Sequence, residues 1–257
     1  MSSVTRPAHD KPQLFAVNMS ALCAFPTQTP GRFTPWTRAI RHAVMGWALA
    51  GVCACVGVAH ANSLDTLAVF LKTTQSGRAD FTQVVTSPPK PDQAVRSKTS
   101  VGSFAFVRPV RFRFDYQKPF PQTLVADGQT LWLYDADLGQ VTARKQAQAL
   151  GSTPAALIAT AADLGALQKE FTLQAEPDAN GLQWVQATPK SRDSALQSVR
   201  IGLRVEAQGT ALAKLDILDA LGQRSVLSFE RFEINPANLG VAQFNFVPPK
   251  GVDVVRP

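Results

Sequence analysis

The chain has 257 residues, 45% of them apolar, with a formal net charge of +7; a chain of this length buries a sizeable core without disulfide staples. All three cysteines (Cys23, Cys53, Cys55) and all three histidines (His9, His42, His60) fall within the first 61 residues. Beyond them nothing is left for Ser-His-Asp or Cys-His catalysis, for disulfides, or for the usual zinc and haem sites, so an enzyme would have to use a carboxylate pair, a lysine or a tyrosine.

Residues 1–37 are rich in Pro and Thr and follow neither a helical nor a strand period. They read as a disordered extension, or as the result of an upstream start assigned in error, with Met19 an available later start. Residues 38–61 read as a secretory signal peptide: a basic Arg38–His42, an apolar Ala43–Val58, then Ala59-His60-Ala61 as the cleavage pattern. The apolar run falls short of the roughly 20 residues of a spanning helix; an uncleaved anchor, or acylation at Cys53 or Cys55, are the alternatives. The first 61 residues hold five of the 26 basic and one of the 19 acidic side chains, so the remainder carries 21 − 18 = +3. That is no electrostatic footprint for nucleic acid.

Residues 62–257 read as a single domain. Ser63 is placed to cap a helix whose Leu64, Leu67, Ala68 and Leu71 share one face, ending near Ser76-Gly77. Ala79–Thr86 reads as a strand, and Asp92–Ser100 as a loop or edge strand. A block of alternating aromatic residues follows. Phe104 and Phe106 lead up to Arg108-Pro109; Val110, Phe112, Phe114 and Tyr116 then alternate with Arg111, Arg113 and Asp115. This is the period of a half-buried antiparallel strand. Gln122–Ala126 and Gln129–Tyr134 flank Asp127-Gly128, a pair suited to a type I′ hairpin turn. Thr153-Pro154 opens a helix carrying Leu157, Ile158 and Ala161, and Asp163–Lys169 adds a turn or two. The second half returns to strands: Phe171–Glu176, Leu182–Ala187, Ser198–Glu206, Ala211–Leu218, Ser225–Phe232 and, after a capped turn at Asn235–Gly240, Phe244–Val247. Ten or eleven short strands with few helices make an antiparallel sheet, strongly curved or closed.

The face made by Phe104, Phe106, Phe112, Phe114, Tyr116, Leu131 and Leu133 reads either as ordinary core or as the wall of an apolar binding cavity. Arg108 reads either as a surface residue or as a guanidinium reaching into the open end of the sheet to bond helix carbonyls. Asp115 and Asp135 are the candidates for a paired-carboxylate enzyme, and Asp135-Ala-Asp137 is a fragment of a calcium loop without its later Gly and Glu.

An ordered set of short motifs then resembles the LolA family of periplasmic outer-membrane lipoprotein carriers. It comprises Phe81-Thr-Gln83; Gly102; Arg108-Pro109 with Phe112 and Phe114; Tyr116 and Pro119; Asp127-Gly128 with Leu131-Trp132-Leu-Tyr134; Gln140-Val141; Thr153-Pro154; Asp219 with Gly222-Gln223; and Phe244-Asn-Phe246-Val-Pro-Pro-Lys-Gly-Val-Asp253. Phe114 stands where some members carry Trp. The resemblance implies a mainly β (α+β) fold, a half-open curved antiparallel β-barrel with a short-helix lid over an apolar cavity. It implies no catalysis, no metal and no cofactor. It also implies a monomer in the periplasm that takes lipoproteins by their acyl chains from an inner-membrane ATP-driven transporter and hands them to an outer-membrane acceptor lipoprotein. On that reading Arg108 holds the lid when the cavity is empty, and Phe104, Phe106, Phe112, Phe114, Tyr116, Leu131, Leu133, Leu157 and Ile158 line the cavity. A related periplasmic carrier of another lipid, working with a different exporter, is the alternative; a hydrolase built on Asp115 or Asp135 is a third reading.

Overall fold

The computed structural model describes residues 62–88, 94–149 and 161–256. The leader expected over 1–61, and the helix expected from Thr153-Pro154 with Leu157 and Ile158, lie outside the described residues.

Twelve strands form one sheet: β1 (Ser76–Thr86), β2 (Ser97–Val107), β3 (Arg111–Lys118), β4 (Gln122–Ala126), β5 (Thr130–Asp135), β6 (Gln140–Lys145), β7 (Phe171–Ala179), β8 (Leu182–Pro189), β9 (Leu196–Glu206), β10 (Gly209–Asp219), β11 (Arg224–Ile234) and β12 (Asp253–Val255). The order is β12-β6-β5-β4-β3-β2-β1-β11-β10-β9-β8-β7. Two antiparallel meanders, β1–β6 and β7–β11, are joined where β1 pairs with β11. The edges β12 and β7 do not meet, so the sheet curves without closing. Among the described residues three short helices accompany it: α1 (Ser63–Thr73), α2 (Gln146–Ala149) and α3 (Leu164–Glu170). Strand alternation sends one set of side chains to the concave face and the other outward.

Several local readings shift. The cap of α1 is Asn62, whose side chain accepts from the Leu64 amide, rather than Ser63; both residue types cap well, and the frame moves by one. The helix stops at Thr73, and Ser76-Gly77 opens β1 instead of ending α1. Gly77 is needed there, because a Cβ would come within 2.7 Å of the Phe106 ring and 2.9 Å of Phe232. The Asp127-Gly128 turn is not type I′. Only Gly128 has positive φ (111°) in it. The Asp127 carboxylate accepts from the Gln129 and Thr130 amides and from the Trp132 indole, each at 2.8 Å, so a side chain organises the loop. Phe244–Val247 is not a strand: Val241–Phe244 makes a 3-10 turn. Phe246 packs outside the barrel on Trp132 and Tyr134, with centroids 5.6 and 6.1 Å away, and Pro248-Pro249 denies the segment a ladder. Finally β12 runs parallel to β6, one parallel pair in a sheet expected to be wholly antiparallel.

Candidate functional site

The concave face is built from in-phase apolar residues of adjacent strands. Phe81 of β1, Phe104 and Phe106 of β2, Phe112 and Phe114 of β3, Ala126 of β4, Leu131 of β5 and Phe229 of β11 all belong to one buried cluster. Register sets the contacts: Phe104 faces Phe114, and Phe106 faces Phe112. Phe104 and Phe114 stack with centroids 4.4 Å apart; Phe104 lies 5.7 Å from Phe106 and 5.4 Å from Phe229. Gly102 makes room for this. A Cβ there would sit 2.1 Å from the Asp115 carbonyl and 2.9 Å from the Phe81 ring, and the β2–β3 register shifts beside it. Such ring pairs contribute roughly 0.5–1.5 kcal/mol each beyond area burial.

Helix α1 lays Leu67, Phe70 and Leu71 over the β7–β10 half of the face, and Phe70 reaches Phe232 of β11. Leu167 of α3 joins the same cluster. The predicted wall residues Phe104, Phe106, Phe112, Phe114, Leu131, Leu133 and Tyr116 all share the concave phase, the last two half-buried. The rings already touch one another. Hollows of about 460 and 240 Å³ open instead on the outer face, among charged side chains including Arg78, Asp80, Arg113, Asp115 and Arg231.

Arg108 sits in the turn after β2, only 8% exposed. Its Nε donates to the Thr74 carbonyl at the end of α1 (2.8 Å), and Nη1 donates to the Ala161 carbonyl just before α3. The guanidinium lies 5.2 Å from the ring centroids of Phe70 and Phe106. Burial draws its pKa down to about 10, and no carboxylate among the described residues pairs with it. The cation is therefore held by backbone carbonyls and ring faces. Its partners are main-chain atoms, which carry no sequence signal.

Beyond the rings, the concave face turns polar. The Tyr116 hydroxyl donates to Gln83 Oε1 (2.9 Å), and Gln83 Nε2 donates to Ser225 Oγ (2.7 Å). Burial pushes the Tyr116 phenol up to about 12. Gln83 and Ser225 were not among the expected site residues, yet a signal existed: Gln83 interrupts the apolar phase Ala79, Phe81, Val85. The carboxylate-pair reading is overturned. Asp115 is opposite Ser103 and Thr123 on the outer face, bonded to Arg113 (2.6 Å) and Thr123 (2.9 Å); Asp135 is in the concave phase with Leu131 and Leu133, bonded to Gln122 (2.8 Å). The sheet separates the two.

Fold and site together define a class: an open antiparallel half-barrel with a continuous aromatic concave face, short helices against it, and one buried arginine tying those helices to the sheet. Residues 72–247 match the family described as outer membrane lipoprotein carrier protein LolA, and the chain belongs to that family. Proteins named outer-membrane lipoprotein carrier protein are similar to it over most of the chain. That of Albidiferax ferrireducens is 62% identical, covering 80% of this chain and 96% of its own. That of Methylibium petroleiphilum is 49% identical over 80% and 96%, and that of Neisseria meningitidis serogroup B 38% identical over 81% and 94%.

Proposed function

We propose that this chain is a periplasmic carrier that shields the acyl chains of lipoproteins released from the inner membrane and delivers them to the outer membrane. The observation that carries this reading is the pairing of a ring-lined concave face with a buried arginine that hydrogen-bonds the backbone at the ends of the helices lying against it. Arg108 bonds the carbonyls of Thr74 and Ala161, which precede or follow the two helices lying against that face. A triacylated protein exposes dozens of CH₂ groups, each costing about 0.8 kcal/mol in water, so unaided crossing of an aqueous compartment is negligible. A carrier must cover those chains and still let them go. Phenylalanine walls give non-directional contact that tolerates chain length, and a closure held by a few hydrogen bonds yields when a chain enters.

On this reading Arg108 is the lid-holding residue, and Phe104, Phe106, Phe112, Phe114, Tyr116, Leu131 and Leu133, with Leu157 and Ile158 of the expected lid helix, contact the acyl chains. No bond is made or broken. The protein acts as a monomer, exported by a cleaved leader over residues 38–61, receiving cargo from an ATP-driven inner-membrane transporter and passing it to an acceptor lipoprotein. The test is release: spheroplasts are incubated with the purified protein, and the supernatant is assayed for soluble lipoprotein. A one-to-one complex is expected. Folded protein that releases nothing, and that carries a different extracted lipid, would transfer the reading to the carrier of that lipid.

A further inference from the structure

We infer that Gln83, Tyr116 and Ser225 form a subsite for the uncharged carbonyl linkages of an acylated ligand, the ester and amide groups that join its chains to glycerol and cysteine. This rests on the carrier reading and adds to it a fixed position for the junction between chain and head.

The three residues come from different strands, β1, β3 and β11, and step diagonally across the sheet, joined side chain to side chain. Each interrupts or ends an apolar phase. Tyr116 follows Phe112 and Phe114, Gln83 follows Ala79 and Phe81, and Ser225 precedes Leu227 and Phe229. Tyr116 is also the last ring of the aromatic field, 5.0 Å from Phe81 and 6.3 Å from Phe114. A chain lying on the rings thus meets a polar row where the hydrocarbon ends.

The hydrogen-bond arithmetic of the row is directional. The phenol O–H is committed to Gln83 Oε1, and one amide N–H of Gln83 is committed to Ser225 Oγ. Two donors remain, the second N–H of Gln83 and the hydroxyl hydrogen of Ser225. Ester carbonyls only accept, so two spare donors match two esters; an amide N–H can use a remaining lone pair of the phenol oxygen. All three side chains are half-buried, neither sealed into the core nor fully solvated. None of them hydrogen-bonds a charged side chain among the described residues, so the row suits neutral polar groups better than a bare carboxylate or phosphate, which would leave water without a counter-charge. The raised pKa of Tyr116 keeps the phenol protonated at neutral pH.

The experiment compares two synthetic lipopeptides bound to protein purified after expression of the full chain: an N-acyl-S-diacylglyceryl cysteine peptide, and its counterpart with ether-linked chains of the same length and no ester carbonyls. The wild-type protein should bind the ester form roughly tenfold more tightly, as expected for one or two net hydrogen bonds. Gln83→Leu and Ser225→Ala should lower that ratio toward one while leaving ether affinity unchanged. If Gln83→Leu does not fold, Ser225→Ala carries the same comparison. Equal wild-type affinity for ester and ether, or variants that weaken both ligands alike, would overturn the subsite and leave the carrier reading intact. Failure to bind either lipopeptide would overturn the carrier reading and the subsite with it. A diester phospholipid of matched chain length, run alongside, separates the sources: ester preference for both assigns the row to acyl esters in general, and preference for the lipopeptide alone assigns it to acylated cysteine.

Discussion

Replacing Arg108 by leucine tests the closure directly. The substitution removes two charge-assisted hydrogen bonds, to Thr74 and Ala161, each worth about 1.5–3 kcal/mol. It also removes the cost of burying a cation. The fall of the Arg108 pKa to about 10 corresponds to about 3 kcal/mol against the charged form. The two effects nearly offset, leaving a net hold of about 1 kcal/mol, so Arg108→Leu should raise the population of the loosened state roughly fivefold. The effect should be uneven. The end of α1 has further anchors, since Asn235 accepts from the Gln75 and Ser76 amides (2.8 and 3.0 Å) and donates to the Thr73 carbonyl (2.8 Å). The segment before α3 has no such set among the described hydrogen bonds. Amide hydrogen exchange should therefore accelerate across Leu164–Glu170 and much less across Ser63–Thr73. Arg108 stays protonated below about pH 10 and no histidine lies beyond His60, so the difference should be constant from about pH 6 to 8. Unchanged exchange in α3, or equal acceleration in both helices, would refute this account of the arginine.

Three other perturbations follow from the same geometry. Phe104→Ala empties the centre of the ring field, where Phe104 touches Phe106, Phe114 and Phe229; urea unfolding should show a loss of about 3–5 kcal/mol, and a loss below about 1.5 would mean the face is loosely packed. Gly102→Ala drives a methyl to 2.1 Å from the Asp115 carbonyl and should cost about 1–3 kcal/mol or more by the same assay, a neutral result contradicting the close approach of β2 and β3. Burial raises the pKa of Asp127, but hydrogen bonds from Thr130, Trp132 and Gln129, with Arg111 nearby, outweigh it and hold the carboxyl below the ordinary range. That stabilisation is present above about pH 4 and is lost as pH falls through the folded value. Asp127→Asn should therefore lower stability by about 1 kcal/mol at pH 7 and flatten the acid side of the stability profile, which urea midpoints at neutral and acid pH would show or contradict.

The aromatic block was legible because its signal is physical and local. Period-two alternation through Phe112, Phe114 and Tyr116 places those rings together whatever the distant chain does, and the same phase carried Phe104, Phe106, Leu131 and Leu133 correctly. What alternation does not encode is which side another segment will cover. Trp132 and Tyr134 alternate just as well, but Phe246 covers them from the opposite side, and Phe244–Val247 was misread as a strand because its partner is a pair of rings rather than a ladder. Gly77 misled for a related reason. A glycine after an amphipathic run signals a helix end, whereas here it admits Phe106 and Phe232, a tertiary demand that sequence spacing does not reveal. The arginine's identity was readable from its place before Pro109; its bonds to Thr74 and Ala161 were not, since any residue supplies a carbonyl.

The central claim is that the concave face, and not the outer one, receives the ligand. Leu133 and Tyr134 are sequence neighbours, both half-buried, on opposite faces of β5. A photoreactive phenylalanine analogue placed at each in turn, followed by illumination of the protein loaded with lipoprotein, separates the faces without a change of depth or strand. Crosslinking to the acylated cargo at 133 and none at 134 is the expected result. Equal crosslinking at both, or crosslinking confined to 134, would contradict the assignment of the ring-lined face as the ligand wall.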